Sequence, residues 1–133
     1  MRFIDGKAIA TRVREEVSDL VATLATTPTL AVVVPTDDEA TDWYVRTIRR
    51  TAEKVGVRCA VLKPADVTAE LELLSAQPGV HAIICQTPLP EGVTLADVGV
   101  HIAVEKDVDG ANPASLGAMA ESAMRSGRSC SSR

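Results

Sequence analysis

Three short segments carry side chains that could do chemistry. They are Thr41-Asp42-Trp43-Tyr44-Val45, Gln86-Thr87-Pro88-Leu89-Pro90 and Glu105-Lys106-Asp107-Val108-Asp109-Gly110. A phenol, an amide and carboxylates supply hydrogen-bond donors and acceptors. Pro88 and Pro90 hold extended backbone beside them, because proline fixes φ and restricts its predecessor. Each feature also has a plainer explanation. Tyr44 suits a half-buried packing residue, since tyrosine is amphipathic. Gln86 can satisfy an orphan backbone group. Asp109 before Gly110 is an ordinary turn pair. Glu105 and Lys106 read as a solvated pair. His81 falls in an apolar strand and His101 in a helix; both read as structural. Nothing has the spacing of a nucleophilic triad or a metal cluster, so no metal site is expected.

The elements that must position these segments alternate along the chain. Asp5 can cap a first helix, along which Ile9, Val13, Val17, Leu20 and Leu24 form one apolar stripe at three- and four-residue steps. Thr29 to Val34 is a continuous apolar, β-branched run, the pattern of a strand buried on both faces. A second helix follows from about Ala40 to Val55, with Gly56 placed to end it. Val57 to Leu62 is a second strand. Asp66 or Thr68 can cap a helix running to Leu74, and Val80 to Cys85 is a third strand. Thr94 to Val104 reads as helix, Lys106 to Pro113 as loop, and Ala114 to Met124 as a small-residue helix. The Gly/Ser-rich end from Ser126 to Arg133 reads as a mobile tail. Strands separated by helices imply an α/β fold, three layers α/β/α around a mostly parallel sheet. In such sheets ligands bind beyond the carboxyl ends of the strands. All three segments sit at or near such ends.

Composition narrows the function classes. Of 133 residues, 46% are apolar but only 2% aromatic, so one domain must build its core from Val, Leu, Ile and Ala. The net charge is −4, with no basic stripe and few rings for base stacking, which argues against nucleic-acid binding. Cys59, Cys85 and Cys130 are odd in number and lack CxxC spacing, against a disulfide framework or a zinc site. Reduced thiols suit the cytoplasm. No apolar run approaches the roughly 18 residues of a membrane span, and the N-terminus lacks a signal-peptide core.

Taken together, the segments resemble one family. Ile4-Asp5-Gly6-Lys7 looks like its N-terminal signature. Ala40-Thr41-Asp42-Trp43-Tyr44-Val45 is similar to its Ser-x-x-Tyr-Val helix, and Cys85-Gln86-Thr87-Pro88-Leu89-Pro90 to its Gln-Leu-Pro-Leu-Pro loop. Lys106-Asp107-Val108-Asp109-Gly110 matches its Lys-Asp-Val-Asp-Gly loop outright. The family is the bifunctional methylenetetrahydrofolate dehydrogenase/methenyltetrahydrofolate cyclohydrolase, and the likeness covers its N-terminal catalytic domain, residues 1–125 here. The resemblance implies oxidation of methylenetetrahydrofolate with NADP, then hydrolysis of the methenyl product. It implies that Tyr44 packs beside the folate rings, that Gln86 orients the catalytic lysine, and that Asp109 bonds the pterin edge. Pro88, Leu89 and Pro90 would wall the ligand.

The departures are as informative. The family lysine lies four residues after the tyrosine, and that position is Ile48, which has no proton, charge or donor. Arg49 lies about 100° further round the helix and stays protonated; the Thr47 hydroxyl is a poor base. Pro35-Thr36-Asp37-Asp38-Glu39 is longer and more acidic than the family loop, and Ala111 replaces an aromatic. No glycine-rich phosphate loop occurs, so the NAD(P)-binding domain is expected to be absent and the chain to hold no cofactor. The expectation is an enzyme of folate one-carbon metabolism that is impaired, or a pseudoenzyme. It would act weakly, with a separate nucleotide-binding chain, or only as a folate- or partner-binding remnant or truncated product. An open cleft face favours association, so a homodimer is expected.

Overall fold

The computed structural model describes residues 3–128. In order along the chain these form α1 (Gly6–Ala22), β1 (Thr29–Val33), α2 (Glu39–Lys54), β2 (Arg58–Leu62), α3 (Val67–Ala76), β3 (Ala82–Cys85), α4 (Leu95–Gly99), a 3-10 turn (Val104–Lys106) and α5 (Pro113–Arg128). The three strands pair in the order β2-β1-β3, all parallel, with Leu30 opposite Cys59 on one side and Ala82 on the other.

The central strand explains the layering. Successive side chains of a strand point to opposite faces, and those of β1 are apolar on both. Ala31 and Val33 join a core with Leu71, Leu74, Ile83, Val98 and Ile102, so α3 and α4 cover that face. Val32 and Val34 join Val45, Ala52 and Cys59, so α2 covers the other. The expected three-layer arrangement is present.

The caps follow the sequence closely. Asp5 accepts a hydrogen bond from the Ala8 amide at 3.1 Å and starts α1. Asp66, not Thr68, caps α3 by accepting from the Ala69 amide at 3.0 Å. Gly56 has φ +88 beyond the end of α2, where an L side chain would be strained. The Gly56 amide donates to Glu53 O at 3.1 Å and the Val57 amide to Ala52 O at 2.9 Å, closing the helix end.

Three expectations need correction. The helix expected from Thr94 to Val104 stops at Gly99. Beyond it the His101 amide donates to Val98 O at 3.1 Å and the Ile102 amide to Gly99 O at 3.0 Å, three-residue bonds that tighten the chain out of the helix; the buried Asn112 then donates through Nδ2 to the free Ile102 O at 2.8 Å. Lys106 is not half of a solvated pair. Its Nζ donates to Gln77 O at 2.6 Å and Leu74 O at 3.3 Å, closing the carboxyl end of α3. Residues 126–128, expected in a tail, belong to α5, which runs to Arg128; residues 129–133 lie outside the described residues. The α1 stripe does not join either core: no residue of α1 is buried.

Candidate functional site at the carboxyl rim of the sheet

The loops that follow β1 and β3 are stitched together at the start of α2. Asp38 caps that helix, its Oδ2 accepting from the Thr41 amide at 2.8 Å. The buried Thr41 hydroxyl lies between that carboxylate, at 2.7 Å, and Thr87 O, at 3.2 Å. The Thr36 hydroxyl donates to Pro88 O at 3.0 Å. The hydroxyl and amide of Thr41 hold the Asp38 carboxyl below the ordinary carboxylate range. The peptide bond between Thr87 and Pro88 is cis.

Backbone pairing sets Gln86 at the rim. Its amide donates to Val33 O at 2.8 Å, extending the β1–β3 ladder by one step. Asp107 makes an isolated parallel bridge to Ile83, after which the chain bends at Val108 and Asp109, both exposed. Tyr44 stands on α2, one turn beyond Thr41, and is half exposed. Among the described residues, the side chains of Tyr44, Gln86 and Asp109 make no hydrogen bond to the protein. Their neighbours are committed to the framework. Asp107 accepts from the Ala111 amide at 3.0 Å, the Asn112 amide at 2.9 Å and the Ser115 hydroxyl. Burial pushes the Asp107 carboxyl up. The bonds from Ser115, Asn112, Ala111 and Asp109 outweigh it and hold the carboxyl below its ordinary range.

Tyr44 and Ile48 share one groove of about 390 Å³ with Leu30, Thr47, Thr51, Ala52 and Val57. Ile48 also packs against the α2-side core. Gln86 and Asp109 do not line this groove. The Pro88-Leu89-Pro90 segment is divided as well. Leu89 packs against the core on the α3–α4 face, the side opposite Tyr44 and Ile48, and with Pro90 it lines a cleft against Asp66, Val67 and Val98. A continuous wall facing Tyr44 is therefore not formed by Leu89.

The nearest alternatives to a base are engaged elsewhere. Arg49 Nε pairs with Glu53 at 3.1 Å, and the Thr47 hydroxyl donates to Trp43 O at 3.2 Å. Lys63 Nζ lies 3.0 Å from both Asp37 and Asp42. Asp42 precedes Tyr44 by two residues, about 200° round the helix, so Lys63 belongs to the opposite flank. Cys85 is no nucleophile either, for burial pushes its thiol up to about 11. Among the described residues no group of His, Cys, Asp and Glu is placed to hold a metal.

A dinucleotide pyrophosphate needs open amides at a helix N-terminus beside a glycine-rich turn. Here carboxylates cap α2 and α3, and the turn between β3 and α4 has a single glycine, Gly92. These residues do not fit such a cofactor.

Lys106, Asp107, Asn112, Thr36 and Thr41 were not identified from sequence as framework. Asp38 three residues before Thr41 has N-cap spacing and could have been read. The bonds of Lys106, Asp107 and Asn112 span elements distant along the chain, which no local pattern signals.

Comparison with known proteins identifies the family. Residues 4–109 match the family described as tetrahydrofolate dehydrogenase/cyclohydrolase, catalytic domain. A bifunctional protein FolD from Parafrankia sp. is 54% identical over 127 residues, covering 90% of this chain and 46% of that protein. One from Saccharopolyspora erythraea is 50% identical over 128 residues, covering 90% and 44%. The 5,10-methylenetetrahydrofolate dehydrogenase of the silkworm Bombyx mori superposes with a TM-score of 0.81 at 28% identity, over 87% of this chain and 43% of that one. The Trypanosoma brucei dehydrogenase-cyclohydrolase, solved with NADP cofactor and inhibitor, has a TM-score of 0.76 at 27% identity over the same shares. The chain spans less than half the length of these relatives. From sequence, fold and rim alike, the chain belongs to the tetrahydrofolate dehydrogenase/cyclohydrolase catalytic-domain family.

Proposed function

We propose that this chain binds a reduced folate at the carboxyl rim of its sheet and is impaired in the dehydrogenase and cyclohydrolase reactions. Three uncommitted polar side chains support the binding half. The Tyr44 ring offers a stacking face for the pterin or aminobenzoate ring. The Asp109 carboxylate is free to accept from the amino-pyrimidine edge, which presents N–H donors. The Gln86 side chain, following β3, would contribute an amide to the same ligand. Thr41 and Thr36, bonded to the Thr87 and Pro88 carbonyls, position the loop that carries Gln86.

The impairment rests on one observation: the position four residues after Tyr44 is Ile48, inside an apolar groove, with Arg49 and Lys63 paired to carboxylates. Hydrolysis of a methenyl bridge needs a group that moves a proton to or from the attacking water. Such help is worth about 10² to 10⁴ in rate. Hydride transfer needs NADP held against the folate, and in this reading a separate nucleotide-binding chain would supply that site. Two protonated, buried thiols, Cys59 and Cys85, fit a reducing compartment such as the cytoplasm.

The test is Ile48→Lys, assayed by hydrolysis of methenyltetrahydrofolate, which requires no NADP. We expect a gain of about 10² or more over the parent chain. Parent activity equal to that of the variant would refute the impairment. Titration calorimetry with 5-formyltetrahydrofolate, a stable reduced folate, tests binding separately. No heat with either protein would refute the folate site.

A further inference from the structure

The amino ends of the three strands meet at a second hollow, on the rim opposite the one that carries Gln86. Strand register sets its walls. Thr29, which opens β1, lies opposite Arg58, which opens β2. On the other side Leu30 pairs with Ala82, and the His81 amide donates to Thr29 O at 3.0 Å, so His81 stands level with Thr29 one step before β3. Arg58, Thr29 and His81 therefore form a row across neighbouring strands about 5 Å apart. All three line a hollow of about 450 Å³, to which Thr26 and Thr27 add their side chains and Gly79 its turn.

The lining is rich in donors and holds no carboxylate. The Thr29 amide donates to His81 Nδ1 at 3.0 Å. An amide can only donate, so Nδ1 accepts and the neutral ring carries its hydrogen on Nε2. The imidazole thus offers one N–H donor. Among the described residues the Arg58 guanidinium pairs with no carboxylate. In a chain of net charge −4 the overall field does not gather anions, so an anion must be held by local donors such as these.

We propose that this hollow binds the phosphate group of a small soluble phosphomonoester. The match is one of count and charge. Arg58 supplies a permanent positive fork, His81 one N–H, and the hydroxyls of Thr26, Thr27 and Thr29 rotate to donate. A phosphate ester presents three acceptor oxygens and nearly two negative charges; a carboxylate presents two oxygens and one charge. The volume falls in the range of small-molecule sites, with room beyond the phosphate for the rest of an ester. The inference is independent of the folate reading, because the two rims lie at opposite ends of the strands.

Titration of the whole chain at constant ionic strength, followed by amide NMR shifts, provides the test. The probes are inorganic phosphate, glycerol 3-phosphate and succinate. The expected result is saturable shifts of the Thr29, Arg58, Gly79 and His81 amides with both phosphates and no saturation with succinate over the same range. Arg58→Met keeps the stem, removes the charge and weakens glycerol 3-phosphate binding at least about tenfold. His81→Asn separates donation from positioning. Its side-chain oxygen stands in for Nδ1 and keeps the Thr29 amide bonded, while the Nε2 donor is lost. Affinity then falls about threefold or more with an unchanged thermal melt. Arg50→Met, the same charge change on α2, leaves affinity as in the parent. Shifts that do not saturate with either phosphate, an Arg58→Met protein that binds like the parent, or an Arg50→Met protein weakened as much as Arg58→Met would each overturn the proposal. Succinate binding as tightly as glycerol 3-phosphate would overturn the phosphate assignment.

Discussion

Within the Lys106–Gly110 loop, identical residue types do opposite jobs. Asp107 is consumed by the fold, accepting from two amides and the Ser115 hydroxyl that together anchor the start of α5. Asp109, two positions on, is exposed and unpaired. Asp107→Asn should therefore cost stability, by about 2 kcal/mol given the charged hydrogen bonds weakened. Because its folded pKa is depressed, the contribution of Asp107 is present above the ordinary carboxylate range and lost as pH falls through the lower folded value. Urea melts of parent and variant should differ at neutral pH and converge in acid. Asp109→Asn should leave the melt unchanged and weaken reduced-folate binding by roughly tenfold, read by calorimetry. Ile48 belongs to the same scale. Its identity is plain in the sequence, but that Arg49 and Lys63 pair with carboxylates is visible only in the structure.

At the scale of elements, two glycines make contrasting predictions. A Cβ on Gly99 would stand 2.1 Å from the Ala111 carbonyl oxygen, a backbone atom that cannot swing aside. Gly99→Ala should destabilise by more than about 2 kcal/mol, because α4 must lift off the Ala111–Asn112 backbone. Gly56→Ala meets mainly the φ +88 penalty and the Val21 side chain. It should cost about 1 kcal/mol. Thermal melts of the two variants, measured together, check both the sign and the order. Lys106→Met tests the end of α3: it leaves the Gln77 and Leu74 carbonyls without their ammonium donor and should cost roughly 1 kcal/mol.

For the whole molecule, two cores of unequal size enclose the sheet. The one under α3 and α4 contains Leu71, Ile83 and Ile102, all essentially inaccessible to solvent. The one under α2 is lined largely by valine and alanine and leaves the Tyr44–Ile48 groove open. Among the described residues no helix is long and apolar enough to cross a membrane.

The sequence by itself determined the alternation of strands and helices, the parallel sheet, the cap at Asp5, the closing glycine at 56 and the family, and it narrowed the cap of α3 to Asp66 or Thr68. These are written in local terms: periodicity, capping chemistry and motif order act over a few residues. Only the tertiary structure decided that Leu89 packs on the face opposite Tyr44, that α4 ends at Gly99, that Lys106 closes α3, and that the α1 stripe is exposed. Each of these depends on which distant segment arrives at a carbonyl or an apolar surface first, and that competition is settled by packing across the sheet.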